Sequence, residues 1–238
     1  MCDKLEISPI ALFRSPLKDK FGLPRQAGLN TSLRGTIELL PEYRSAEALR
    51  GLDGFDYIWI IWQFSLSHSQ KGLTVRPPAL GGNERMGVFA TRSPFRPCPL
   101  GLSSVRILDI DFDAPDGPLI HVKGADLADG TPIFDIKPYL PFTDAHPDAR
   151  SGFTAHVTYP DLEVSMPERI PEALDSRDIE AIRTAVGQDP RPRYHHDGDR
   201  IYSIRYKAFD VKVRFFQEGK AKIIEIAPFS FSPESSQA

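Results

Sequence analysis

The chain has 238 residues, enough for one large domain or two smaller ones, and 41% of them are hydrophobic, which supports a buried core. Its formal net charge of −3 excludes a bulk pull toward nucleic acid or anionic membrane, so any polyanion must be held by local clusters of Arg and Lys. Cys2 and Cys98 are the only cysteines, which excludes a disulfide framework and a cysteine-built zinc site and fits a reducing cytoplasm.

Residues 5–14 alternate toward Ser15-Pro16 and predict an opening strand closed by a turn. A loop over residues 18–30 carries Pro24-Arg25-Gln26, a fixed φ followed by two polar side chains that suit a ligand lip. Residues 34–40 read as a second strand, and residues 45–52 as a short helix capped by Ser45 and ended by Gly51. The run over residues 55–64 is almost continuously apolar and predicts a strand buried on both faces, with both tryptophans in the core. It is the longest apolar run and too short to span a bilayer, so no membrane partner is expected.

Residues 65–82 predict an exposed polar loop. The stretch after it is unusual. Val88, Phe89 and Ala90 read as a buried strand, whereas Pro94, Pro97 and Pro99 fix three φ angles and remove three donors. Such a loop holds Arg92 and Arg96 stiffly, either as a plain connector or as a support for binding phosphate, carboxylate or a stacked base. Strands are expected over residues 103–112, 119–122 and 133–136, the last after the turn Asp129-Gly130-Thr131-Pro132.

Composition shifts over residues 143–152, where a linker is expected between a β-barrel or sandwich of residues 1–142 and a small α+β unit of residues 153–229. That unit has a helix over residues 175–187, capped by Asp175 or Ser176 with a stripe of Ile179, Ile182 and Val186, and strands over 200–206, 210–216 and 221–226. Residues 230–238 read as a disordered tail. The fold class is therefore mainly β, an N-terminal barrel or sandwich followed by a small C-terminal α+β domain.

No Gly-rich dinucleotide fingerprint, Walker loop or nucleophile elbow is present. His195-His196-Asp197-Gly198-Asp199 admits a metal reading, but adjacent strand residues point to opposite sides and a turn explains the same letters. Asp189-Pro190-Arg191-Pro192-Arg193-Tyr194 repeats the device of arginines on a proline-stiffened backbone, with Tyr194 able to stack on a base.

Gly87-Val88-Phe89-Ala90-Thr91-Arg92-Ser93 with Phe95-Arg96-Pro97, Asp129-Gly130-Thr131-Pro132 with the Asp135 to Pro141 run, and Asp189-Pro190-Arg191-Pro192 together resemble the TrmO (TsaA/YaeB-like) family. The resemblance implies a homodimeric β-barrel methyltransferase that uses S-adenosylmethionine to methylate N6 of threonylcarbamoyladenosine beside the anticodon of threonine tRNA. It implies cofactor contacts from Pro24, Arg25, Gln26, Arg92, Leu102 and the segment Asp126, Leu127, Ala128 and Asp129. The family's His-Gln pair falls on Ser65-Leu66, and its Phe-Arg-Pro-Asn-Pro becomes Phe95-Arg96-Pro97-Cys98-Pro99. An N6 attached to a carbonyl is a poor amine whose proton must leave, so Asp126, Asp129 and Asp189 are the candidate bases. Arg96, Lys137, Tyr139, Arg191, Arg193 and Tyr194 are the expected contacts to tRNA.

Overall fold

The computed structural model describes residues 5–67, 72–81, 84–158, 161–191, 200–217 and 219–229. Its strands begin with β1 (Ala11–Arg14), β2 (Arg34–Leu39), β3 (Tyr57–Gln63), β4 (Thr74–Val75), β5 (Met86–Gly87) and β6 (Leu100–Asp111). They continue with β7 (Leu119–Lys123), β8 (Thr131–Pro138), a one-turn helix α1 (Pro141–Asp144), β9 (Glu163–Ser165) and α2 (Ser176–Gly187). The last three strands are β10 (Ile201–Tyr206), β11 (Phe209–Phe215) and β12 (Lys220–Pro228).

Six strands close a barrel in the order β1-β2-β7-β6-β3-β8, all antiparallel, with β8 returning to β1. Alternate residues fill it: Ala11 and Phe13, Ile37 and Leu39, Ile58, Ile60 and Trp62, Val105, Ile120 and Val122, and Ile133 are all buried. Two glycines make this packing possible. A Cβ on Gly35 would stand 2.2 Å from the Phe13 ring, and one on Gly101 would stand 2.3 Å from the Trp62 indole.

A second core forms where α2 packs on the sheet β10-β11-β12-β9, whose edge strand β9 runs parallel to β12. Asp175 caps α2 through the backbone N–H groups of Arg177 and Asp178, and Asp178 returns the bond to the Asp175 N–H. This core is not built from C-terminal residues alone. The excursion between β1 and β2 contributes buried Leu17 and Leu33 and half-buried Phe21 and Leu23, and buried Asn30 donates to the Ala181 carbonyl at 2.9 Å.

Asp178 is the charged group at the centre of this unit, accepting from the Tyr206 hydroxyl at 2.9 Å and the Lys207 ammonium at 2.6 Å. Burial, and then the Asp178 carboxylate, push the Tyr206 phenol far above its ordinary pKa, so the hydroxyl stays a donor. Asp178→Ala strands both partners and the first turn of α2. It is expected to cost about 3 kcal/mol in denaturant unfolding.

Several expectations are corrected. Val88–Ala90 is a 3-10 turn rather than a strand, with Val88 buried and Phe89 76% exposed. Strand pairing before it is limited to β4 with β5. Strand β3 is buried on one face only, because the other side of a closed barrel wall faces out, where Tyr57 is 42% exposed. Residues 45–52 form two 3-10 turns, Ala46–Leu49 and Leu52–Gly54, instead of a helix. Strand β8 begins at Thr131, so Thr131-Pro132 joins the ladder beside β1 instead of ending a turn. Strand β9, three residues of mixed exposure, carries no alternation long enough to read from the letters. The tail at 230–238 and His195-His196-Asp197-Gly198-Asp199 lie outside the described residues. Among the described residues no helix is long and apolar enough to cross a membrane.

Candidate active site

Three connections meet at one end of the barrel: residues 15–33 between β1 and β2, residues 64–99 between β3 and β6, and residues 124–130 between β7 and β8. The last of these must cross the barrel mouth, because its flanking strands are not neighbours. It plugs the mouth with Ala125 and Leu127, both buried in the barrel core. Asp126, between them, is half-buried at the mouth.

Asp126 accepts a 2.6 Å hydrogen bond from the Ser103 hydroxyl, which in turn accepts the Trp62 indole N–H at 3.0 Å. Burial raises the Asp126 carboxyl above its ordinary pKa, outweighing Ser103, the Ala27 backbone and the Arg92 charge, all of which act downward. Arg92 is exposed, and its guanidinium donates to the Gln26 side-chain oxygen at 2.5 Å. Gln26 then donates to the Arg25 carbonyl at 2.6 Å, and Pro24 is buried behind them. The structure thus gathers Pro24, Arg25, Gln26, Arg92 and Asp126 around one mouth. Leu102, 57% exposed on the outer face of β6, adjoins inward-facing Ser103.

The other carboxylates are committed elsewhere. Asp129 accepts from the Ser15 N–H at 2.9 Å and the Lys18 ammonium at 2.8 Å. Burial pushes its carboxyl up, but Lys18 and Ser15 together overcome this and hold it below the usual range. Because the folded pKa is depressed, this pair stabilises the protein fully above the unfolded carboxyl pKa and is lost as pH falls through the lowered value. Asp129→Asn is expected to flatten the acid limb of a stability-against-pH curve measured by denaturant unfolding.

Asp189 adopts a left-handed backbone with φ of 47° and forms a fork-to-fork pair with Arg191 at 2.7 and 2.8 Å. That pair, more than the opposing burial, raises the Arg191 guanidinium pKa, and the guanidinium also lies 4.5 Å over the Phe215 ring. Arg25 donates to the Asp189 carbonyl at 2.7 Å, so the two proline-stiffened arginine segments at 24–26 and 189–191 touch.

The remaining expected residues are dispersed. Arg96 braces its own loop by donating to the Thr91 carbonyl at 3.1 Å. Ser65 and Leu66 are exposed beside that loop, where Lys20 donates to Ser67 and lies over the Phe95 ring. Lys137 pairs with Asp135 on the outer wall, and Tyr139 packs against Tyr57 and Trp59 at the opposite end of the barrel. Arg193 and Tyr194 lie outside the described residues. Sequence reasoning missed Ser103 and Lys18. Ser103 carries one faint signal, a hydroxyl at an inward strand position between Gly101 and Val105.

A carboxyl of raised proton affinity, an exposed guanidinium oriented by an amide, and the exposed Leu102 offer an acceptor, a cation and an apolar contact, a set that fits a ligand joining an amino-acid zwitterion to a nucleoside. The closed antiparallel barrel with its site at one mouth sets the chain apart from doubly wound nucleotide-binding folds. The comparisons specify it further. Family models for the tRNA-methyltransferase O N-terminal domain and the TrmO C-terminal domain match residues 12–145 and 160–229, and the chain belongs to this family.

Over 225 residues the chain is 38% identical to the tRNA (adenine(37)-N6)-methyltransferase of Escherichia coli (strain K12), covering 90% of this chain and 94% of that one. It is 37% identical over 230 residues to RcsF of Pseudomonas aeruginosa, which carries an S-adenosylmethionine-dependent methyltransferase name, with 93% and 97% coverage. The crystal structure of TrmO from Pseudomonas aeruginosa superposes with a TM-score of 0.77 at 31% identity, covering 94% of this chain and 99% of that one.

Proposed function

We propose that the protein is an S-adenosylmethionine-dependent tRNA methyltransferase acting on N6 of adenine 37, the position named for its Escherichia coli relative. The finer substrate is threonylcarbamoyladenosine in threonine-accepting tRNA. The observation that carries the reading is Asp126, a half-buried carboxyl with raised proton affinity, fixed by Ser103 and facing Arg92 at the mouth where the cofactor segments converge. The cofactor contacts are Pro24, Arg25, Gln26, Arg92, Leu102 and residues 126–129, with Ser65-Leu66 at the rim.

When bound, S-adenosylmethionine supplies an electrophilic methyl group on a sulfonium sulfur. Asp126 accepts the N6 proton, which a nitrogen conjugated to a carbonyl must lose, and Ser103 holds the receiving carboxylate in place. Arg92, oriented by Gln26, binds a carboxylate of cofactor or substrate. Asp129 and Asp189 shape the mouth through Lys18 and Arg191 instead of taking protons. The protein works as a homodimer in the cytoplasm. Leu73 and Phe89 are 68% and 76% exposed on the β4–β5 flap, where the Leu73 carbonyl accepts from Val88, and they suit burial by a second copy. The exposed free Cys98 suits a reducing compartment.

The test is methyl incorporation from labelled S-adenosylmethionine into tRNA from normal cells and from cells lacking the threonylcarbamoyl modification. Label in normal tRNA alone is expected. Label in both would remove the carbamoyl group from recognition, and none in either would leave a tRNA-binding module without catalysis.

A further inference from the structure

Register across the barrel wall brings together three cations that lie far apart in the chain. Arg34 on β2 stands opposite Lys123 on β7, and Lys123 stands opposite Arg106 on β6. The next position in the row is Tyr57 on β3, opposite Arg106, and the Tyr57 carbonyl then accepts from the Tyr139 N–H. Directly paired strand residues share a face, and the neighbouring row of Gly35, Val122 and Ile107 points inward, so this row points out. Arg34 and Arg106 are exposed and Lys123 half-buried, and none of the three is ion-paired among the described residues.

Like charges placed directly opposite each other on adjacent strands work against the sheet. The carboxylates of the same wall are displaced toward its other end, where Glu38 and Asp111 both face Leu119 and Asp109 faces His121. Glu38 is already taken by Arg14 and Arg44. A chain of net charge −3 thus carries an uncompensated cationic row that starts at the rim of the candidate site, since Lys123 comes three positions before Asp126 and Arg34 opens the strand after the Arg25-Gln26 excursion. Because barrel strands tilt, the row climbs obliquely from that rim toward the far end and finishes in the ring cluster of Tyr57, Trp59 and Tyr139, with centroids 5.7 and 6.2 Å apart.

We infer that the row Arg34–Lys123–Arg106 binds consecutive phosphates of a single-stranded RNA segment flanking the target base, and that Tyr57 and Tyr139 stack a base at its end. This rests on the reading that the protein acts on tRNA. The occupant is set by charge and chemistry: cations spaced by about 4.8 Å per strand on a rigid wall match a phosphate backbone, and the exposed Tyr57 with the half-buried Tyr139 beside it matches unpaired bases.

The experiment is tRNA binding by the full-length protein across a salt series, with S-adenosylmethionine binding and thermal unfolding measured on the same samples. The triple variant Arg34→Gln/Lys123→Gln/Arg106→Gln is expected to bind tRNA at least about tenfold more weakly, with the slope of log K against log salt shallower by about 2. Its S-adenosylmethionine affinity should be unchanged and its melting temperature equal or higher, because a repulsive row has been removed. Tyr57→Ala/Tyr139→Ala is expected to weaken tRNA binding about tenfold without changing the salt slope. An unchanged salt slope in the triple variant, a fall in its melting temperature, or altered oligomeric state with intact tRNA affinity would each overturn the assignment. Failure of the underlying reading looks different, since the unsubstituted protein would then transfer no methyl group to tRNA.

Discussion

Asp126→Asn is expected to lower the single-turnover rate of methyl transfer to tRNA by about 100-fold or more, the scale on which a positioned base acts. The substitution keeps the shape of the side chain and an oxygen able to accept the Ser103 hydroxyl, so the site should remain assembled. Burial already opposes ionisation of Asp126, which makes its folded pKa higher than its unfolded one. Its charge therefore costs stability progressively as pH rises above the unfolded value, and the Asn variant should melt at the same temperature or higher at neutral pH. The proton acceptor is the ionised form, so the rate of the unsubstituted protein should climb with pH through the raised value while the residual rate of the variant stays flat. Asp129→Asn and Asp189→Asn should retain rates within a few-fold of normal, since both carboxylates are held by cations. A normal rate for Asp126→Asn would assign proton removal elsewhere.

Gly101→Ala tests whether the barrel core and the site are one structure. The new Cβ would stand 2.3, 2.5 and 2.7 Å from three atoms of the Trp62 indole, too close to be accommodated without moving the ring. Overpacking of this kind is expected to cost about 1–3 kcal/mol in denaturant unfolding. It should also weaken cofactor binding and slow methyl transfer, because a displaced indole no longer donates to Ser103 and the hydroxyl that orients Asp126 loses its own support. The change in tryptophan emission reports the displacement directly. Lost stability with fully normal cofactor binding and rate would show the indole–hydroxyl–carboxylate chain to be packing alone.

Much of this architecture is legible in the residues because the information is local. Alternation in residues 34–39 and 119–123, the capping pair Asp175 and Asp178, and the proline spacing at 94–99 each specify their own backbone. What escapes is set by partners distant in the chain. The wall strand β3 carries Trp59 and Ile61 outward, so its apolar run does not distinguish one buried face from two. Val88–Ala90 has strand-like letters, yet only the two residues before it find a partner, in β4. Closure through β1 and β8 joins residues about 120 positions apart and leaves no mark on either segment. The site shows the same division. The family resemblance and the arginine–proline segments direct attention to Arg25, Gln26, Arg92 and Asp126, whereas Ser103 is one hydroxyl in a strand and becomes informative only when Trp62 and Asp126 are seen on either side of it.

The excursion between β1 and β2 buries Leu17 and Leu33, with Phe21 and Leu23, against a sheet whose strands β10 to β12 lie more than 150 positions later in the chain. During synthesis from the N-terminus the barrel strands and the mouth-crossing segment emerge first, while those four apolar side chains have nothing to cover them. The turn that carries Arg25 and Gln26 therefore settles last, once β10 to β12 and α2 have formed, and a nascent protein holds a finished barrel before it holds a finished cofactor mouth.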